Sequence, residues 1–75
     1  LGPTEYRLLN VLLERPTRVY SREQLLDQVW GREIFIEERT VDVHIRRLRK
    51  ALNENEGPDL IRTVRGGGYS LDDQN

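Results

Sequence analysis

Arg39-Thr40-Val41-Asp42-Val43-His44-Ile45-Arg46-Arg47-Leu48-Arg49-Lys50-Ala51-Leu52 is the stretch whose periodicity decides the architecture. At ~100° per residue, with Val41 set to zero, Ile45 falls near ~40°, Leu48 near ~340° and Leu52 near ~20°. Four aliphatic side chains therefore share one narrow stripe, the signature of a helix packed on a core. Thr40, Val43, Arg47 and Lys50 fall between roughly 180° and 260°, on the opposite face. Arg46 and Arg49 flank that face on one side and His44 on the other. The spacing predicts a helix over 40–52, with Thr40 as its N-cap.

Upstream, Thr4 and Glu5 read as the cap and first turn of an earlier helix. Leu8, Leu9, Val11, Leu12 and Leu13 form its apolar face, and Pro16 closes it. Tyr6 and Tyr20 read as packing residues, and Arg18-Val19-Tyr20 as a short lone strand. Ser21-Arg22-Glu23-Gln24 is a capping-box pattern opening a second helix that carries Leu25, Leu26, Val29 and Trp30, with Gly31 as its C-terminal glycine. Residues 32–38 read as a loop, apolar at Ile34-Phe35-Ile36 and then acidic. Downstream, a turn cluster around Gly57-Pro58 leads into a strand from Leu60 to Val64. Arg65-Gly66-Gly67-Gly68 reads as a tight turn, Tyr69-Ser70-Leu71 as the return strand, and the last four residues as a tail. Three helices and a terminal hairpin make one α+β domain.

The 75 residues suffice for that one domain. With no cysteine, disulfides, thiolate metal sites and cysteine nucleophiles are excluded, and the cytosol is the expected compartment. No apolar run approaches the ~20 residues that span a bilayer, so no membrane role is expected. The formal net charge of −1 conceals a polarised layout. Residues 1–38 carry a net −2, residues 39–52 a net +4 and residues 53–75 a net −3. A basic stripe thus lies between acidic flanks, and the local field is what a ligand meets. All of the basic residues but Lys50 are arginine, the type suited to bidentate contact with phosphates and base edges.

An outward face bearing Arg47, Lys50, Thr40 and an exposed Val43 suits a DNA major groove. There arginine reads guanine edges and small apolar groups touch the thymine methyl. Flanking arginines suit phosphates, which position a helix without reading sequence. The plain alternative is a solvated charged face, but such faces mix charge signs and seldom expose valine. The glycine-tipped hairpin presents Arg65 on a slim profile that would fit a minor groove, or is an ordinary flexible turn. Its glycines lack the spacing of a phosphate-cradling loop.

Two helices, a basic third helix and a glycine-tipped hairpin follow the order of a winged helix-turn-helix. The segments Arg39–Lys50 and Thr63-Val64-Arg65-Gly66-Gly67-Gly68-Tyr69, together with Ser21–Leu26 and Val29-Trp30-Gly31, closely resemble the effector domain of the OmpR/PhoB response regulators. Within that family the wording of the third helix is most similar to the phosphate-regulon regulators. The resemblance implies base contacts from Thr40, Asp42, Val43 and Arg47. It implies phosphate contacts from Trp30, Arg39, His44, Arg46, Arg49, Thr63 and Tyr69, with Arg65 in the minor groove. It further implies head-to-tail dimers on direct repeats of double-stranded DNA. An RNA polymerase sigma-subunit surface would be formed by Glu23, Trp30, Gly31, Ile36 and Glu38. The loop's Ile34-Phe35-Ile36 could equally anchor it to the core. Against the family pattern, a receiver domain and an N-terminal sheet ahead of the first helix are missing, so a fragment is expected. Gly67 stands where many relatives carry a bulkier residue.

Catalysis finds no support. His44, Ser21 and Ser70 make no triad pattern, and the single histidine with Asp42 makes no metal cluster, so no cofactor, metal or small-molecule substrate is expected. The rival reading is a winged-helix module whose arginine face docks an acidic protein. A small enzyme is a distant third.

Overall fold

The computed structural model describes residues 2–31, 36–54 and 59–72. The expected Ile34-Phe35 anchor, the Gly57-Pro58 turn and the end of the C-terminal tail lie outside the described residues. In chain order the elements are α1 (Pro3–Glu14), α2 (Arg22–Leu25) running into a π-helical turn (Leu26–Trp30), α3 (Arg39–Leu52), and a hairpin of β1 (Ile61–Val64) and β2 (Gly68–Leu71). This is the expected α+β arrangement of three helices and a wing.

The helix starts differ from the sequence reading. α1 begins at Pro3, whose fixed φ suits the first helical position, so Gly2 is the cap and Thr4 lies one residue inside. α3 begins at Arg39 after a turn in which Thr40 N–H donates to the Glu37 carbonyl and Val41 N–H to Glu38. Thr40 is therefore a helical residue and not the cap. The cap position falls to Glu38, whose own backbone is helical and whose side chain caps nothing. At α2 the capping box is complete: Gln24 N–H donates to Ser21 Oγ at 3.1 Å, and Ser21 N–H donates to Gln24 Oε1 at 2.9 Å.

The wide π turn closes with Gly31 N–H donating to the Leu26 carbonyl. Gly31 then leaves the helix at φ +91°, a conformation costly to any residue with a Cβ. Such turns recur at functional sites. This one ends at Trp30, whose ring lies 5.2 Å from that of His44 on α3.

The core is where the four apolar faces meet. Leu8 and Leu12 of α1, Leu25 of α2, and Val41, Ile45 and Leu48 of α3 are all essentially inaccessible to solvent. Ile61, Tyr69 and Leu71 close the core from the hairpin, with Tyr20 beside them. Each such aliphatic side chain contributes ~1.5–3 kcal/mol by leaving water. Tyr20 packs as expected, but Tyr6 does not: it is among the most exposed large apolar side chains, together with Leu13.

The hairpin pairs antiparallel in the register Ile61↔Leu71, Arg62↔Ser70, Thr63↔Tyr69 and Val64↔Gly68. The expected strand at residues 18–20 reduces to a single bridge, Tyr20 exchanging both backbone hydrogen bonds with Tyr69. That bridge brings the chain so close to Gly68 (φ +131°) that a Cβ there would meet the Tyr20 carbonyl oxygen at 1.9 Å. The approach to the bridge passes through Thr17, a β-branched residue held at φ +75°, whose N–H donates to the Leu71 carbonyl.

Candidate nucleic-acid interface

The third helix has two faces, as its periodicity requires. Val41, Ile45 and Leu48 are buried, while Val43 is 45% exposed and Arg46, Arg47 and Lys50 stand in solvent. An exposed valine among cations, on a helix whose other β-branched aliphatic residues are buried, leaves apolar surface in water, which folding alone does not favour. Thr40 is half-buried in the first turn. Arg39 is exposed and paired with Glu37. Arg65 is exposed at the tip of the wing, between Val64 and the positive-φ Gly66.

Several other candidate residues are engaged inside the domain. Asp42 Oδ1 accepts from Arg22 Nε at 2.9 Å and also from the Tyr69 hydroxyl. Burial pushes the Asp42 carboxyl up, but the Tyr69 hydroxyl and the Arg22 guanidinium outweigh it and hold the group below the ordinary range. Burial and the neighbouring Asp42 carboxylate push the Tyr69 phenol above 10.0. Tyr69 therefore keeps its proton and donates it in the hydrogen bond to Asp42.

Arg49 is bound to the wing. Its terminal nitrogen donates to the Ile61 carbonyl at 3.0 Å and to Thr63 Oγ1 at 2.7 Å, and its guanidinium lies 5.8 Å from the centre of the Tyr69 ring.

His44 sits on the α1 side. Its Nδ1 is 2.9 Å from Oε1 of Glu5, and only 16% of its side chain is exposed. The same Glu5 oxygen is 4.0 Å from the Arg47 guanidinium, most of which remains in solvent. The hydrogen bond from His44, followed by that from the residue's own backbone, holds the Glu5 carboxyl low against the opposing effect of burial.

Two participants escape the sequence reading. Glu5 resembles a residue placed only for the helix dipole, and Arg22 looks like filler inside a capping box. Neither carries a local signal, because their partners lie 39 and 20 residues away.

The residues implied for polymerase contact do not separate cleanly from the wing. Glu23 and Glu38, both exposed, line a groove of about 370 Å³ together with Arg22, Thr63, Arg65 and Tyr69. Gly31 and Ile36 are half-buried on either side of residues 32–35. Among the described residues, no cluster of three or more His, Asp or Glu side chains could hold a metal. Nor is any helix among them long and apolar enough to cross a membrane.

The family described as "Transcriptional regulatory protein, C terminal" matches residues 1–71. The phosphate regulon transcriptional regulatory protein PhoB of Rhizobium meliloti (strain 1021) is 67% identical over 72 residues, covering 96% of this chain and 32% of that protein. The chain thus spans about a third of the length of such curated relatives. Among solved structures, the DNA-binding domain of Escherichia coli CadC superposes with a TM-score of 0.88 at 36% identity, covering 95% of this chain and 67% of that one. The DNA-binding domain of the response regulator AdeR, in complex with an intercistronic region, superposes with a TM-score of 0.85 at 36% identity, covering 97% and 72%. With the match running through all three helices and the wing, the chain belongs to the OmpR/PhoB-type C-terminal family of transcriptional regulators, a DNA-binding family and not an enzyme family.

Proposed function

We propose that this chain is the sequence-specific double-stranded DNA-binding part of a response regulator that controls transcription, and that phosphate-responsive genes are its targets. The observation carrying the reading is the opposition of the two faces of α3, three inaccessible aliphatic residues against an exposed Val43 flanked by Arg46, Arg47 and Lys50. In this reading α3 enters the major groove. Arg47 meets a guanine edge, Val43 a thymine methyl, and Thr40 the edge nearest the helix start. Arg39, Arg46 and Arg49, with Trp30, His44 and Thr63, face phosphates on either side and set the register. Arg65 enters the adjacent minor groove from the wing. Copies bind head to tail on direct repeats, and the loop after Trp30, with Glu23, Gly31, Ile36 and Glu38, meets the sigma subunit of RNA polymerase. The relatives named for the phosphate regulon support the choice of target.

Selection of binding sites from random duplexes, followed by sequencing, tests the reading. It should return one preferred half-site in tandem orientation. Arg47→Ala should then lose ~1–3 kcal/mol of discrimination at a single base position. Recovery of random sequence, with retained binding to acidic proteins, would instead favour a protein-docking role for the arginine face.

A further inference from the structure

The geometry points to Asp42 as a positioning residue and not a base reader: its carboxylate joins α2, α3 and the wing, so that the major-groove face and Arg65 meet one duplex as a rigid unit. Three elements converge on one oxygen atom. Arg22 comes from the first turn of α2, Asp42 lies in the first turn of α3, and Tyr69 comes from β2. Both donors use Oδ1. The site is partly covered, with 34% of the Asp42 side chain exposed and Tyr69 buried, so these hydrogen bonds act in a less polarisable setting than water.

Reading a base would require the carboxylate to accept from a cytosine amino group. For Oδ1, the atom both donors hold, turning outward to do so would strip the buried Tyr69 hydroxyl of its acceptor and expose an uncompensated negative charge beside phosphates. That leaves only Oδ2 able to reach a base without breaking the junction. Kept inward, the same charge is neutralised by Arg22 and does not oppose the DNA.

Tyr69 is held from a second direction as well. Arg49, nearly two turns further along α3, lies over its ring and donates to Ile61 and Thr63 of the opposite strand. The wing is therefore tied to α3 at two points, at Asp42 through the hydroxyl and at Arg49 through the ring and the opposite strand. Arg65 follows directly on Val64, the last residue of β1, so the orientation of the strands sets where its guanidinium can reach. The inference rests on the DNA-binding reading above for its consequence, but not for its geometry.

A double-mutant cycle tests it on the 75-residue chain, with Asp42→Ala, Tyr69→Phe and the pair. Each single variant should weaken binding to the selected duplex by roughly 3- to 10-fold, the net worth of about one hydrogen bond. The double variant should be no worse than the weaker single, because both remove the same bond. The preferred bases should stay the same. Arg65→Ala should cost less affinity in the Asp42→Ala background than in the wild type. Without DNA, amide relaxation of Arg65–Gly68 should show a more mobile wing in both single variants. Asp42→Asn, which keeps an oxygen acceptor for Tyr69, should preserve most of the affinity even where Asp42→Ala unfolds. A changed base preference at one position in Asp42→Asn, with Tyr69→Phe binding like wild type, would overturn the proposal and make Asp42 a base reader. Additive losses would overturn it too. If the wild type selects no duplex, the DNA-binding reading fails, while the relaxation measurements still decide whether the clamp exists.

Discussion

Ile45 and Val43 stand two residues apart on one helix, and truncating each to alanine should have opposite consequences. Ile45 is 1% exposed and sits among Leu8, Leu12, Val41 and Leu48, whereas Val43 is 45% exposed. Ile45→Ala removes buried carbon and leaves a cavity, a change worth ~2–5 kcal/mol. At ~0.05–0.15 kcal/mol per residue, a domain of this length has only about 4–11 kcal/mol in total. The loss is thus a large share of the whole, and at ~4–8 °C per kcal/mol the smallest value already lowers Tm by about 8–16 °C. Val43→Ala deletes methyl groups of a residue that is about half in water, at a position outside the core, so its effect should stay within ~0.5 kcal/mol. The better helix propensity of alanine offsets even part of that.

Thermal unfolding followed by circular dichroism measures both. Below its own Tm, Ile45→Ala should bind the selected duplex with unchanged base preference, while Val43→Ala should melt like wild type and show a weaker preference at one base pair. If the two variants lost equal stability, α3 would not have opposed faces, and every DNA contact assigned to it would fall together.

Gly68→Ala should be strongly destabilising, because the added Cβ would lie 1.9 Å from the Tyr20 carbonyl oxygen at a φ of +131°; a melting curve unchanged from wild type would show that the bridge can open at no cost. Thr17 is a β-branched residue at φ +75°, a strain of ~1–3 kcal/mol, so Thr17→Asn should raise Tm by a few degrees; a fall in Tm would mean that the threonine side chain contributes more than the strain costs. Stability should also depend on pH in a defined direction. Glu5 and Asp42 have folded-state values held below their ordinary 4.5 and 3.8, so their stabilisation is complete above those values and is lost as pH falls through the lower folded ones. Tyr69 is raised above 10.0, so its contribution is complete below that value and is lost as pH rises through the higher one. Urea titrations across pH should therefore show a neutral plateau with losses at both ends, and Glu5→Gln should flatten the acid limb; an unchanged acid limb would remove the Glu5–His44 pair from the stability of the fold.

How much of this can be read in advance depends on the distance along the chain between interacting atoms. The buried stripe of α3 and the capping box at Ser21 are set by neighbours three or four residues apart, and both are legible. Helix starts are less so. Thr40 has the chemistry of a cap, but the turn formed by Glu37 and Glu38 puts the cap position two residues earlier, at Glu38. Tyr6 lies on α1 among leucines, yet side-chain type alone does not say that its position on the helix faces water. The contacts that shape the surface proposed to meet DNA span 20, 27 and 39 residues, beyond any local pattern.

A family resemblance crosses that gap only in part, because it carries over residues and not the atoms through which they act. Tyr69 makes the point. A phosphate oxygen can only accept a hydrogen bond, and a phenol has one proton to donate. Here that proton goes to Asp42. For Tyr69 to hold a phosphate through its hydroxyl, the bond to Asp42 would have to break, leaving α3 and the wing joined on that side mainly through Arg49. Keeping the bond makes Tyr69 useful to DNA in a different way, by setting the wing before the duplex arrives and so sparing the complex the entropy of ordering it.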